Sequence, residues 1–127
     1  MTRNAFTTGY ISAMAWLAIN ENGSDDGLTV DDLPANVVDE LTADAHAFYD
    51  ANVDLLTDTI SVHSTADDSL EFAAGLGEDF ALTRNRHGTG FWDRGLGEQG
   101  LALTDLAHTY GDSAVYVDAD GGITLHN

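Results

Sequence analysis

Apolar positions recur at helical spacing through the first part of the chain. Phe6, Tyr10, Met14 and Leu17 are separated by four, four and three residues, which predicts a helix over about Ala5–Ile19, capped by Asn4 and stopped by Asn20–Gly23. Trp16 and Ile19 widen its apolar stripe. After a polar loop at 20–32, Val38, Leu41, Ala45, Phe48, Tyr49, Leu55 and Leu56 share one side of a long helix from about Pro34 to Thr57. Ile60–Val62 reads as an extended link, and Asp67–Ala74 as a short third helix stopped by Gly75 or Gly77. Phe80–Thr83 and Gly90–Trp92 read as two strands around a turn at Asn85–Thr89. Gly97–Tyr110 predicts another helix, with Leu103, Leu106, Ala107 and Tyr110 inward. Ala114–Val117 and Ile123–Leu125 flank Asp118-Ala119-Asp120-Gly121-Gly122, a turn sequence suited to a hairpin.

The expected class is therefore α+β, with N-terminal helices on a small antiparallel sheet of two hairpins flanking a helix, in the order ααα-ββ-α-ββ. At 127 residues, 43% of them apolar, the chain suits one domain: an acidic helical part at 1–74 and a ββ-α-ββ part at 75–127.

Charge changes the picture most. Twenty-two acids face four arginines, with no lysine, giving a net charge of −18. Residues 1–74 hold fourteen of the acids and only Arg3, whereas 75–127 hold eight acids and three arginines. Such a balance repels nucleic acid and anionic membranes and favours basic surfaces, so a basic protein is the expected partner. It is also what adaptation to high salt would give. Along the second helix, Asp39, Glu40, Asp44, Asp50, Asp54 and Asp58 form an outer face without basic partners. Like charges four apart oppose helix formation, so stability alone does not select this face.

No cysteine is present, which excludes disulfides, thiolate nucleophiles and Cys-based zinc sites. The five histidines show no H-x-x-x-H or H-E-x-x-H spacing, so no metal is expected. Placing Gly27 at the sixth position of a calcium loop puts Leu33 at the twelfth, where a bidentate Glu is required. Gly95-Leu96-Gly97-Glu98-Gln99-Gly100 matches a dinucleotide fingerprint literally, yet only 27 residues follow it, and Glu98 stands where a pyrophosphate would sit. No cofactor is expected. Arg84, Arg86, His87, Trp92, Asp93 and Arg94 form an alternative, enzyme-like set: a base, an acid and clamps for an anionic substrate. It lacks a serine or cysteine nucleophile, and its arginines are equally suited to pairing with the excess carboxylates. An enzyme, or an oligomeric assembly module with the aromatic hairpin as interface, is the alternative reading. The N-terminus shows no basic stretch followed by a long apolar run, so a cytoplasmic protein is expected.

Asp79-Phe80-x-Leu82-Thr83-Arg84-Asn85-x-His87-Gly88-x-Gly90-Phe91-Trp92-Asp93-Arg94-Gly95, with Tyr116-Val117-x-x-Asp120-Gly121 later, resembles a motif of small acidic proteins of tailed bacteriophages and prophages. The aromatic first helix, the Asp/Gly loop and the acidic helix extend the resemblance over nearly the whole chain, although Ala81 stands where an aromatic residue is usual. The resemblance implies a setting, the cytoplasm of an infected host cell. Small phage accessory proteins most often act by binding a host protein, and by that analogy this chain is expected to do so. The carboxylate face then suggests DNA mimicry against a nucleic-acid-binding or defence protein, since acids four apart on a helix lie about 6 Å apart along its axis.

Overall fold

A computed structural model describes residues 1–21 and 27–127. Residues 22–26 of the segment predicted as a polar loop at 20–32, with the calcium-loop test positions Asn22, Ser24 and Asp26, lie outside the described residues. Helix α1 spans Thr2–Trp16 and β1 is a short strand at Ile19–Asn20. Helices α2 (Ala35–Ala51), α3 (Val53–His63) and α4 (Ser69–Arg84) follow, then α5 (Glu98–His108), β2 (Ala114–Val117) and β3 (Ile123–His126). The class is α+β, as the pattern of apolar positions predicts, but the arrangement differs in several places.

The first helix buries Phe6, Tyr10 and Met14, the expected face, while Trp16 is 64% exposed and Ile19 is a strand residue. Its cap is Met1 rather than Asn4. The long second helix is two. At Asn52 the backbone leaves helical geometry (φ −125°, ψ 28°), and the Asn52 side-chain amide donates to the Phe48 carbonyl at 2.9 Å, closing α2 as α3 begins. Helix α3 continues through Ile60–Val62, which is therefore not an extended link, and buries Leu56, Thr59 and Ile60.

The largest correction concerns 75–95. Phe80–Thr83 is not a strand, and neither Gly75 nor Gly77 ends a helix; all lie within α4. Ala73, Leu76, Phe80 and Thr83 are buried at spacings of three, four and three, the helical period. The period is hidden because every residue from Asp79 to Arg84 is buried, so this end of α4 has no polar face to alternate with. Gly90–Trp92 likewise is no strand. Phe91–Asp93 forms a 3-10 turn in which the Asp93 carboxylate accepts the Gly90 N–H (3.1 Å) and the Thr89 hydroxyl (2.8 Å), while the Phe91 N–H donates to Thr83 Oγ1 (3.2 Å).

Of the two expected hairpins, only the C-terminal one forms. Strands β2 and β3 pair antiparallel with Val117 opposite Ile123, and Asp118 Oδ1 accepts the N–H groups of Asp120 and Gly122 across the turn. Strand β1 adds to β2 in parallel, with Ile19 opposite Tyr116, giving a mixed sheet in the order β1-β2-β3 instead of two antiparallel hairpins.

Helix α4 is the centre of the fold. Phe80 stacks on Phe48 (4.1 Å between centroids) and Tyr10 (4.9 Å), and meets Tyr110 edge-on (5.5 Å). Helices α1 and α4 cross with their backbones in contact: a Cβ on Gly9 would overlap the Ala74 carbonyl, and one on Gly77 the Phe6 carbonyl. Only glycine fits at these two positions. At Gly75, in the same helix, a Cβ would meet nothing within 4 Å. Gly9→Ala or Gly77→Ala should therefore cost about 2–3 kcal/mol or more through overpacking, whereas Gly75→Ala should gain about 0.5–1 kcal/mol from helix propensity. Urea unfolding of the three variants measures the contrast.

Candidate functional site

The expected acidic face is divided by the break at Asn52. Asp39, Glu40 and Asp54 are exposed, and their carboxylates carry no ion pair or hydrogen bond among the described residues. The other three acids are engaged. Asp50 receives Arg3 through Nε (2.9 Å) and NH2 (2.8 Å), and this pairing holds its carboxyl below the ordinary value. Asp58 accepts from the Gln99 amide at 2.7 Å, whose oxygen meets His63 Nε2 at 2.8 Å, a chain tying α3 to the start of α5. Asp44 points inward: its Oδ2 lies 3.6 Å from Arg84 NH1 and is sealed without a hydrogen bond, and burial raises its carboxyl against the pull of Arg84.

The alternative set does not converge. Arg84 is only 4% exposed and is a core residue. It donates from Nε to the Gly111 carbonyl (2.9 Å), from NH1 to the Tyr10 hydroxyl (2.9 Å) and from NH2 to the Tyr110 carbonyl (3.2 Å). Its guanidinium also lies over the rings of Phe80 and Tyr110, 5.5 and 5.8 Å from their centroids. Burial pushes the Tyr10 phenol well up, so Tyr10 meets this cation as a neutral hydroxyl. Arg86 is exposed, with φ +53° just past the end of α4, and His87 lines a hollow of about 280 Å³ with Asn85, Asp112, Ser113 and Tyr116. Trp92 is 40% exposed. Asp93 is committed to its turn, whose backbone N–H at Gly90 holds its carboxyl down. Arg94 lines a separate cavity beside Asp79. The acid–base pair and clamps of an enzyme are thus dispersed, because α4 turns through the segment that would have had to be a hairpin. Of the set's arginines, Arg84 lies near Asp44 and Arg94 pairs with Asp79, whereas Arg86 forms no ion pair among the described residues; outside the set, Arg3 pairs with Asp50.

Asp79, the first residue of the motif at 79–95, is not among the candidate site residues that the sequence suggests. It is 5% exposed, and Arg94 reaches its Oδ1 through both Nε (3.0 Å) and NH2 (2.9 Å). Burial nevertheless raises its carboxyl, so one arginine does not offset the desolvation. The signal was present only as an acid on the apolar side of a helix, which the strand assignment concealed. A second hollow, of about 600 Å³, lies between α1, residues 28–31 and α4, with the exposed Trp16 on one side and Glu78 on the other.

The glycines of the dinucleotide fingerprint have structural uses. Gly95 and Gly97 adopt positive φ (+72° and +63°), and a Cβ on Gly100 would press on the Phe91 carbonyl. Among the described residues no group of three or more His, Cys, Asp or Glu is placed to hold a metal ion, and no helix is long and apolar enough to cross a membrane.

Two outcomes follow for stability. Arg84→Met leaves the Tyr10 hydroxyl and two carbonyls without their donor and Asp44 without its opposite charge, and should cost about 3–5 kcal/mol in denaturant unfolding; adding Asp44→Asn should return part of that loss. Asp44 and Asp79 titrate above 3.8 in the fold, so their contribution is fully present below 3.8 and is lost as pH rises through their folded values. Asp50, Asp68 and Asp93 titrate below 3.8, and their contribution is lost as pH falls. Carboxyl-carbon NMR titration should place the first two midpoints above 3.8 and the other three below it.

Comparison with family models, with curated proteins and with solved structures found no match to this chain.

Proposed function

We propose that the protein acts by binding a basic partner protein, and that its exposed carboxylates compete with a nucleic acid for that partner's surface. The observation that carries this reading is where the few cations go. Three of the four arginines are bound to acids of the protein's own body, and Arg84 is buried in its core. The exterior therefore keeps most of the net −18 uncompensated, and Asp39, Glu40 and Asp54 belong to that exterior. A body so charged attracts basic grooves at long range and repels nucleic acid and anionic membranes.

The break at Asn52 separates Asp54 from the acids of α2, so the mimicry is of charge density over a surface rather than of one continuous helical ladder. The resemblance to small acidic phage proteins suggests the setting, a nucleic-acid-binding or defence protein in the cytoplasm of an infected cell. The dispersal of Arg84, His87, Asp93 and Arg94 supports a binding protein over an enzyme.

The test is competition. Purified protein should displace duplex DNA from basic DNA-binding proteins of a bacterial host, and the effect should fall steeply between about 50 and 200 mM salt. The triple variant Asp39→Asn/Glu40→Gln/Asp54→Asn, which touches no internal pair, should compete less well with an unchanged melting temperature. Displacement that ignores both salt and these three charges would overturn the reading.

A further inference from the structure

Helix α4 contains a glycine that its packing does not explain. Gly9 and Gly77 are required by the contact of α1 with α4, but at Gly75 a Cβ meets nothing within 4 Å, and no positive φ asks for glycine there. A glycine in a helix interior opposes the helix relative to alanine. What Gly75 does is leave open the cavity of about 290 Å³ that it lines together with Phe72, Leu76, Asp79, Arg94 and Leu96. Glu78 stands at the same cavity, exposed.

The lining is chemically specific. Phe72, Leu76 and Leu96 supply apolar wall, and Asp79 supplies a buried carboxylate. Arg94 uses Nε and NH2 on a single oxygen, Oδ1, so Oδ2 carries no hydrogen bond among the described residues. The burial that raises the Asp79 carboxyl leaves it able to gain from a second cation. Two carboxylates and one guanidinium give the site a net negative charge, which disfavours an anion. The volume lies at the low limit of small-molecule sites, about 300–1,000 Å³, and suits one long side chain better than a cofactor.

We propose that this cavity receives a lysine or arginine side chain of the partner protein, with its methylenes against Phe72, Leu76 and Leu96 and its charged head on Asp79 Oδ2 and Glu78. The proposal rests on the reading of a basic partner and adds the point at which that partner is held. Long-range attraction comes from the exposed acids, and the docked side chain gives the complex its register.

The probe is N-acetyl-lysine methylamide, titrated into isotope-labelled protein and followed by amide NMR, with N-acetyl-norleucine methylamide as the uncharged control. The expected result is saturable shifts centred on Gly75, Asp79 and Leu96, with the norleucine compound and the Asp79→Asn variant each weaker by about tenfold. Gly75→Leu fills the cavity from a position with room for a side chain, so it should abolish the shifts while the protein stays folded, even if Asp79→Asn does not fold. The Asp39→Asn/Glu40→Gln/Asp54→Asn variant should titrate as the parent does. Shifts that do not saturate, that survive Gly75→Leu, or that are equal for norleucine would overturn the proposal. Failure of DNA competition alongside a normal lysine titration would count against the basic-partner reading and leave the cavity's chemistry standing.

Discussion

The Arg84 guanidinium joins more of this structure than any other group. It sits at the end of α4 and binds the Tyr10 hydroxyl of α1, the carbonyls that follow α5, and the vicinity of Asp44 on α2. A buried cation is tolerable only when its donors are used and its charge is met. Here two carbonyls, a neutral phenol, two aromatic faces and one carboxylate share that task. The arrangement fixes where the ends of α4 and α5 lie, and so where the hairpin β2–β3 starts. Ser113, at the start of that segment, donates its N–H to Asn85, the residue next to Arg84.

An acidic protein with four cations must choose where to place them. Burying Arg84 uses one charge for architecture. Arg94 supports the single carboxylate that α4 carries into the interior, and Arg3 ties α1 to α2. The internal pairs work in a screened or partly desolvated setting, where each ion has an opposite neighbour. The carboxylates of Asp39, Glu40 and Asp54, by contrast, face water and salt. The proposed long-range attraction thus rests on acids outside these pairs, and substitutions such as Asp39→Asn probe it without touching them.

The sequence was legible where amphipathic period and turn chemistry were both intact. The buried face of α1, the last helix and the Asp118 turn emerged from spacing alone, because each has a polar side to contrast with its apolar side. Helix α4 was not legible for the opposite reason. Surrounded by α1, α2, α5 and the 3-10 turn, its second half buries residues on every side, and Asp79, Thr83 and Arg84 are polar residues inside. Its two glycines resembled helix stops, yet Gly77 is there for a neighbouring backbone. Asn52 could be recognised as a break only through its cap to Phe48. The candidate site suffered from the same error: placing 80–83 in a strand grouped Arg84 with His87 and Asp93 and hid Asp79.

The close approach of α1 and α4 at Gly9 and Gly77 also bears on the order of events during synthesis. Gly9 lies against Ala74 and Gly77 against Phe6, partners 65 and 71 positions apart, so α1 emerges from the ribosome long before its seat on α4 exists. Closing so long a loop is an entropic expense that local helices do not meet. Until α4 has been added, Phe6, Tyr10 and Met14 lack the helix against which α1 packs most extensively. The dense negative charge of residues 1–74 is then useful in a second sense. It keeps nascent chains apart while their first helix waits for the fourth.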